Sequence, residues 1–136
     1  MLDLINISYN GVALGVGFHL LASLVSSLIV YTVYLKSSTL QLEHGMADPM
    51  YYENDKVRHM SLVGGVLFTI AMGVVAELYS TQETIINALI AGLLIVLIHV
   101  ILIFIKPRAF NKMSRLIIII GTVPLSCFGG WLLTGN

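Results

Sequence analysis

Two histidines, His19 and His99, stand inside long uncharged apolar runs. An ionisable side chain is costly there and usually faces a bundle interior or a water-filled path. Imidazole chemistry offers three uses. Hydrogen bonding between helices is the commonest. Proton or ion handling is the second, because histidine titrates near neutral pH and its surroundings shift it readily. Axial ligation of a haem between the two segments is the third. At 1.5 Å per residue, with both segments running the same way, His19 falls roughly 12 Å and His99 roughly 22 Å below a common surface. An offset of about 10 Å is awkward for two ligands on one iron, so haem ranks last.

Glu77 is the one charged residue within these apolar runs. A carboxylate at a pore mouth attracts cations, as acidic rings do in channels. Two residues from the end of its run, Glu77 is expected first of all to be an interfacial carboxylate that reaches water. His19, His99 and Glu77 are thus the candidates for a proton or ion path.

Other reactive residue types are scattered. His44, Asp48, Glu53, Asp55 and His59 crowd one polar stretch, with Asp55 and His59 four apart on one face if that stretch is helical. No His-Glu-x-x-His pair and no cysteine cluster accompanies them, so a solvated or partner-facing loop is expected, with no metal site and no bound cofactor. Met46, Met50, Tyr51 and Tyr52 in the same stretch suit a membrane interface or another protein. The single cysteine, Cys127, has no partner for an internal disulfide and reads as a small buried hydrophobe. Nothing resembles a nucleophile with its base or a phosphate-binding glycine loop, so an enzyme is not expected.

The elements that hold these residues follow from composition. The chain has 136 residues, 57% apolar and 10% charged, with seven basic residues against seven acidic. A soluble domain carries about 25% charged residues, so this chain lacks the polar surface a globule needs in water. A net charge of zero also gives no footprint for nucleic acid. Apolar runs at 11–35, 60–79, 85–105 and 116–133 are each near the roughly 20 residues that span a bilayer. Residues 1–10 hold Asp3 and no basic residue, so the first run is expected to be retained rather than cleaved as a signal peptide.

The expected fold is therefore all-α and integral to the membrane: one domain, a four-transmembrane-helix bundle with up-down-up-down order. All seven basic residues, Lys36, Lys56, Arg58, Lys106, Arg108, Lys112 and Arg115, lie in the connections 36–59 and 106–115. That bias puts these connections in the cytoplasm, or the matrix of an organelle, and both termini outside; a bacterial inner (plasma) membrane fits best. Tyr9, Tyr79 and Trp131 would form an outer aromatic belt, and Tyr34, Phe104 and Phe110 an inner one. Ser80 and Glu83 have capping-box spacing, which predicts that helix 3 begins at Thr81. Asp48-Pro49 predicts that helix 2 begins outside the membrane near Pro49. Pro107 should end helix 3, and Pro124 should kink helix 4, its freed carbonyl met by Ser126 or Thr122.

Small and polar residues recur at helical spacing: Gly11, Gly15, His19 and Ser23; Ser61, Gly65, Thr69, Gly73 and Glu77; Ala88, Gly92 and, roughly, His99. In lipid, helices associate through close packing of small residues and polar contacts. Gly11, Gly15, Ser61, Gly65, Thr69, Gly73 and Gly92 are accordingly expected at helix-packing seams or oligomer contacts. The function these features suggest is a non-enzymatic membrane component, self-assembling or part of a larger membrane complex, with an ion or proton path as its sharpest form. Its partners would be the bilayer, copies of itself or other membrane subunits, and not nucleic acid. The alternatives are a haem- or cofactor-bearing redox subunit and a phage-type membrane-permeabilising protein.

Overall fold

A computed structural model describes residues 7–37, 55–79, 85–105 and 112–135. They form four helices: α1 (Tyr9–Ser37), α2 (Asp55–Glu77), α3 (Ile86–Ile105) and α4 (Lys112–Thr134). Each contains a segment long and apolar enough to cross a bilayer, so the described residues are all-helical and suggest a multi-pass membrane protein. In hydrocarbon every backbone N–H and C=O must be satisfied internally, which a helix does within one segment. Leu and Ile side chains such as Leu24, Leu67, Leu97 and Ile120 point outward, where lipid is as good a solvent as the bundle core.

The helices alternate in direction. The start of α1 meets the start of α3 through Ser8 and Asn87, and the end of α2 meets the start of α3 through Glu77. α4 brings its second half to the same place through Ser126. We call this the clamped end. α2 packs against all three other helices, whereas α1 and α4 lie on opposite sides of the α2–α3 pair.

Glycines set how closely the helices approach. A Cβ on Gly11 would collide with the Ala76 carbonyl, and one on Gly15 would lie 3.0 Å from the Met72 carbonyl oxygen, so α1 rests on the backbone of α2. On the other side of α2, Gly73 lies against the Ser126 backbone and Gly129 against the Ile70 backbone. A Cβ on Gly92 of α3 would come within 3.1 Å of Ser126 Cβ. The non-glycine residues with no exposed surface, Met72, Ala76, Ala88, Ala91, Ile95 and Ser126, all lie toward the clamped end. Toward the other end the buried core narrows to Val30, Tyr34 and Val57, between α1 and α2.

Several expectations change. The helical stripe on α2 is buried only in its second half: Thr69, Gly73 and Glu77 are covered, but Ser61 is exposed and nothing lies within 4 Å of a Cβ on Gly65. The neighbouring Gly64, whose Cβ would lie 3.2 Å from Ser26 Oγ, faces α1 instead. Tyr34 is no belt residue, since it is 7% exposed and packs with Val30 and Val57. Tyr9, Tyr79, Phe104 and Trp131 are exposed, and Phe110 lies outside the described residues. Ile85 is a bend and α3 begins at Ile86, with its Ala88 amide donating to Glu77 of α2; Ser80–Thr84, and with them the expected capping box and Thr81 start, lie outside the described residues, as does the Asp48-Pro49 start of helix 2.

α4 runs as one helix through Pro124. Proline removes the bond to the carbonyl four residues back, that of Ile120. Neither expected substitute reaches it: Thr122 Oγ1 donates to the Ile118 carbonyl and Ser126 Oγ to the Ala88 carbonyl.

Two glycines eight residues apart on α2 should therefore respond oppositely to one methyl group. Gly73→Ala forces α2 off the Ser126 backbone and should cost about 1–3 kcal/mol or more, as overpacking does. Gly65→Ala meets open space and should be neutral or stabilising by up to about 1 kcal/mol through helix propensity. Unfolding by SDS in mixed micelles reads both.

Candidate functional site

The clamped end is built from backbone needs. The first amides of a helix have no intrahelical partner. For α1, Ser8 supplies the cap: its Oγ accepts the Gly11 N–H at 3.1 Å and its carbonyl the Val12 N–H at 3.0 Å. For α3, Ile85 occupies the capping position, its carbonyl accepting the Leu89 N–H at 3.0 Å, but its side chain has no acceptor. Glu77 of α2 fills the gap. Its Oε1 accepts the Ala88 N–H at 2.8 Å and its Oε2 accepts Asn87 Nδ2 at 3.2 Å. A carboxylate accepts at both oxygens, and the positive end of a helix favours it.

Asn87 joins the two caps, since its Oδ1 accepts the Ser8 N–H at 2.9 Å while its amide donates to Glu77. Ser126 Oγ donates to the Ala88 carbonyl at 2.6 Å and brings in α4. Gly130 leaves the room, because a Cβ there would lie 2.7 Å from Ala88 Cβ and 3.1 Å from Glu77 Cγ. Glu77 is 2% exposed, so the expectation that it reaches water is corrected. The physical reason is that two donors of α3 replace the water it would otherwise seek.

The clamp also sets the depth of the histidines. His19 lies eleven residues beyond Ser8 and His99 twelve beyond Asn87, on helices that run the same way from one hydrogen bond. Their ring centroids are 6.0 Å apart with planes 74° apart. The depth offset of about 10 Å expected from span edges is thus corrected: the Ser8–Asn87 bond, not the edges of the apolar runs, sets the register of α1 against α3. His99 Nδ1 lies 2.9 Å from the Ile95 carbonyl, which only accepts, so Nδ1 carries the hydrogen. His19 is 4% exposed. Its Nδ1 is buried without a hydrogen-bond partner. A porphyrin between the two rings would require this packed α1–α3 seam to open.

Between pair and clamp lies a dry layer of Val12, Met72, Ala76, Ala91 and Ile95. The structure thus separates the expected site residues into two groups, the histidines in mid-span and Glu77 at the clamp. Of the polar loop, Asp55 and His59 are described: His59 Nδ1 lies 2.6 Å from the Asp55 carbonyl, and Arg58 pairs with the Asp55 carboxylate at 2.7 Å. His44, Asp48 and Glu53 lie outside the described residues. Sequence reasoning missed Ser8 and Asn87 altogether, and assigned Ser126 to the wrong carbonyl. The available signal was an amide two residues into an otherwise apolar run, ten residues after the only acid in a span. No family model matches the chain, and no curated protein or solved structure matches it.

The donor and acceptor order makes the clamp testable by exchange. Glu77→Gln sets a donor against a donor, and Asn87→Asp sets a carboxylate against a carboxylate. Each should cost about 1–3 kcal/mol, the range for an unsatisfied buried polar group. The pair Glu77→Gln with Asn87→Asp reverses both roles and should recover much of the loss, which a double-mutant cycle of unfolding in mixed micelles measures.

Proposed function

We propose that this chain is a non-enzymatic component of a membrane assembly that handles protons through His19 and His99, built from copies of itself or with other membrane subunits. The observation that carries the reading is the pair itself: two imidazoles from different helices in mid-span, with the His19 Nδ1 lacking a hydrogen-bond partner. Imidazole exchanges a proton near neutral pH, and an intramembrane ionisable group usually serves a path or a relay. Assembly belongs to the reading because Met72, Ala91 and Ile95 block a single chain between the pair and the clamp. A path therefore needs a surface that only an assembly encloses. Glu77, held on both oxygens, serves as the structural anchor of that path rather than as its mouth.

In this reading both termini face outward and the basic residues face the cytoplasm of a bacterial inner membrane, following the charge bias. A cysteine appended after Asn136 in a Cys127→Ser background should react with an impermeant maleimide on intact cells. Labelling only after lysis would reverse the orientation.

Proton flux into liposomes under a potassium diffusion potential tests the function. The parent chain should conduct, and His19→Ala and His99→Ala should each abolish flux. A parent chain with no flux above empty liposomes ends the proposal.

A further inference from the structure

His19 Nδ1 is buried with no hydrogen-bond partner, and the ring of His99 stands beside it. In His99 the hydrogen is on Nδ1, spent on the Ile95 carbonyl, which leaves Nε2 as the free acceptor of a neutral ring. In His19 it is Nδ1 that is buried with no hydrogen-bond partner. A carbonyl bond that fixes one ring nitrogen and frees the other is how proteins orient imidazole towards a metal. Neighbouring hydroxyls do not fill the need, because Thr69 donates to its own Gly65 carbonyl and Thr122 to that of Ile118.

Distance and charge narrow the occupant. A metal–imidazole bond is about 2.0–2.1 Å, so two in line, with roughly 1 Å from each nitrogen to its ring centre, come to about 6 Å between centroids. The observed separation is 6.0 Å, and the 74° between planes is unconstrained, since either ring can rotate about such an axis. Zinc prefers four ligands, and the described residues hold no group of three or more His, Cys, Asp or Glu side chains. A divalent ion would also bring two uncompensated charges into a region where even one is expensive. A monovalent, soft d10 ion accepts two nitrogens in line and brings one charge.

We propose that His19 Nδ1 and His99 Nε2 form a two-imidazole site for one monovalent soft metal ion, copper(I) or its analogue silver(I). Both nitrogens donate existing lone pairs, so binding releases no proton and changes no oxidation state. The site uses the pair invoked for proton handling but does not require conduction. Flux without metal binding overturns this proposal alone, and binding without flux overturns the other alone.

The test is silver(I) binding to the full chain in mild detergent, in a Cys127→Ser background that removes the competing thiol. One ion per chain should bind, and His19→Gln and His99→Gln should each weaken binding at least about tenfold, the scale of losing a metal-supporting contact. Nitrogen-15 spectra of labelled histidine should move at His19 Nδ1 and His99 Nε2 and stay put at His44 and His59. Because that readout uses the parent rings, it decides the matter even if a glutamine variant misfolds. Binding that survives both substitutions, resonances that move only at His44 or His59, or no bound silver overturns the site. Zinc that displaces silver at equal concentration overturns the choice of a monovalent ion.

Discussion

The carboxylate of Glu77, at the end of α2, accepts the Ala88 amide and the Asn87 side chain at the start of α3, and the rest of the bundle is registered against that contact. In water such a group would trade its protein partners for solvent at little net cost. In hydrocarbon no such exchange is open, so a helix start with unfilled amides and an acid without donors each destabilise the fold until they meet. Asn87 extends the arrangement to α1 and Ser126 extends it to α4. Four helices therefore share one polar knot at one end.

Close packing follows from that knot. Gly11 and Gly15 let α1 down onto α2, and Gly73, Gly129 and Gly130 admit α4 close enough for Ser126 to reach the Ala88 carbonyl. The polar bonds and the glycine contacts support one another, since neither distance is reachable without the other. Away from the knot the contacts are fewer: Gly64 still faces Ser26, but Gly65 meets no neighbouring atom. Local stability should fall along the bundle in the same direction, because fewer buried contacts oppose opening there.

The histidine pair sits where these regimes meet. Above it, toward the knot, Met72 and Ile95 are completely enclosed; beyond it, Ser23, Ser26 and Gly64 are only partly covered. Two imidazoles at this boundary are enclosed on the side toward the knot and less covered on the other. That asymmetry joins the proton reading to the metal reading, as both need one guarded face and one accessible face.

Four apolar runs, the placement of basic residues and the identity of the polar side chains within spans are properties of sequence alone, because the bilayer reads length and hydropathy locally. The helices indeed occupy those runs to within a few residues. Local rules failed where a group was satisfied from another helix. An acid near a span end looked wet, yet it is buried against α3, where it accepts the Ala88 amide. The depth of the histidines failed for the same reason. Span edges place each ring separately, whereas the Ser8–Asn87 bond ties α1 and α3 to one origin and brings His19 and His99 level. Residue type and helix face are local properties and were legible; register between helices is a tertiary one, decided by which donor meets which acceptor where water is absent.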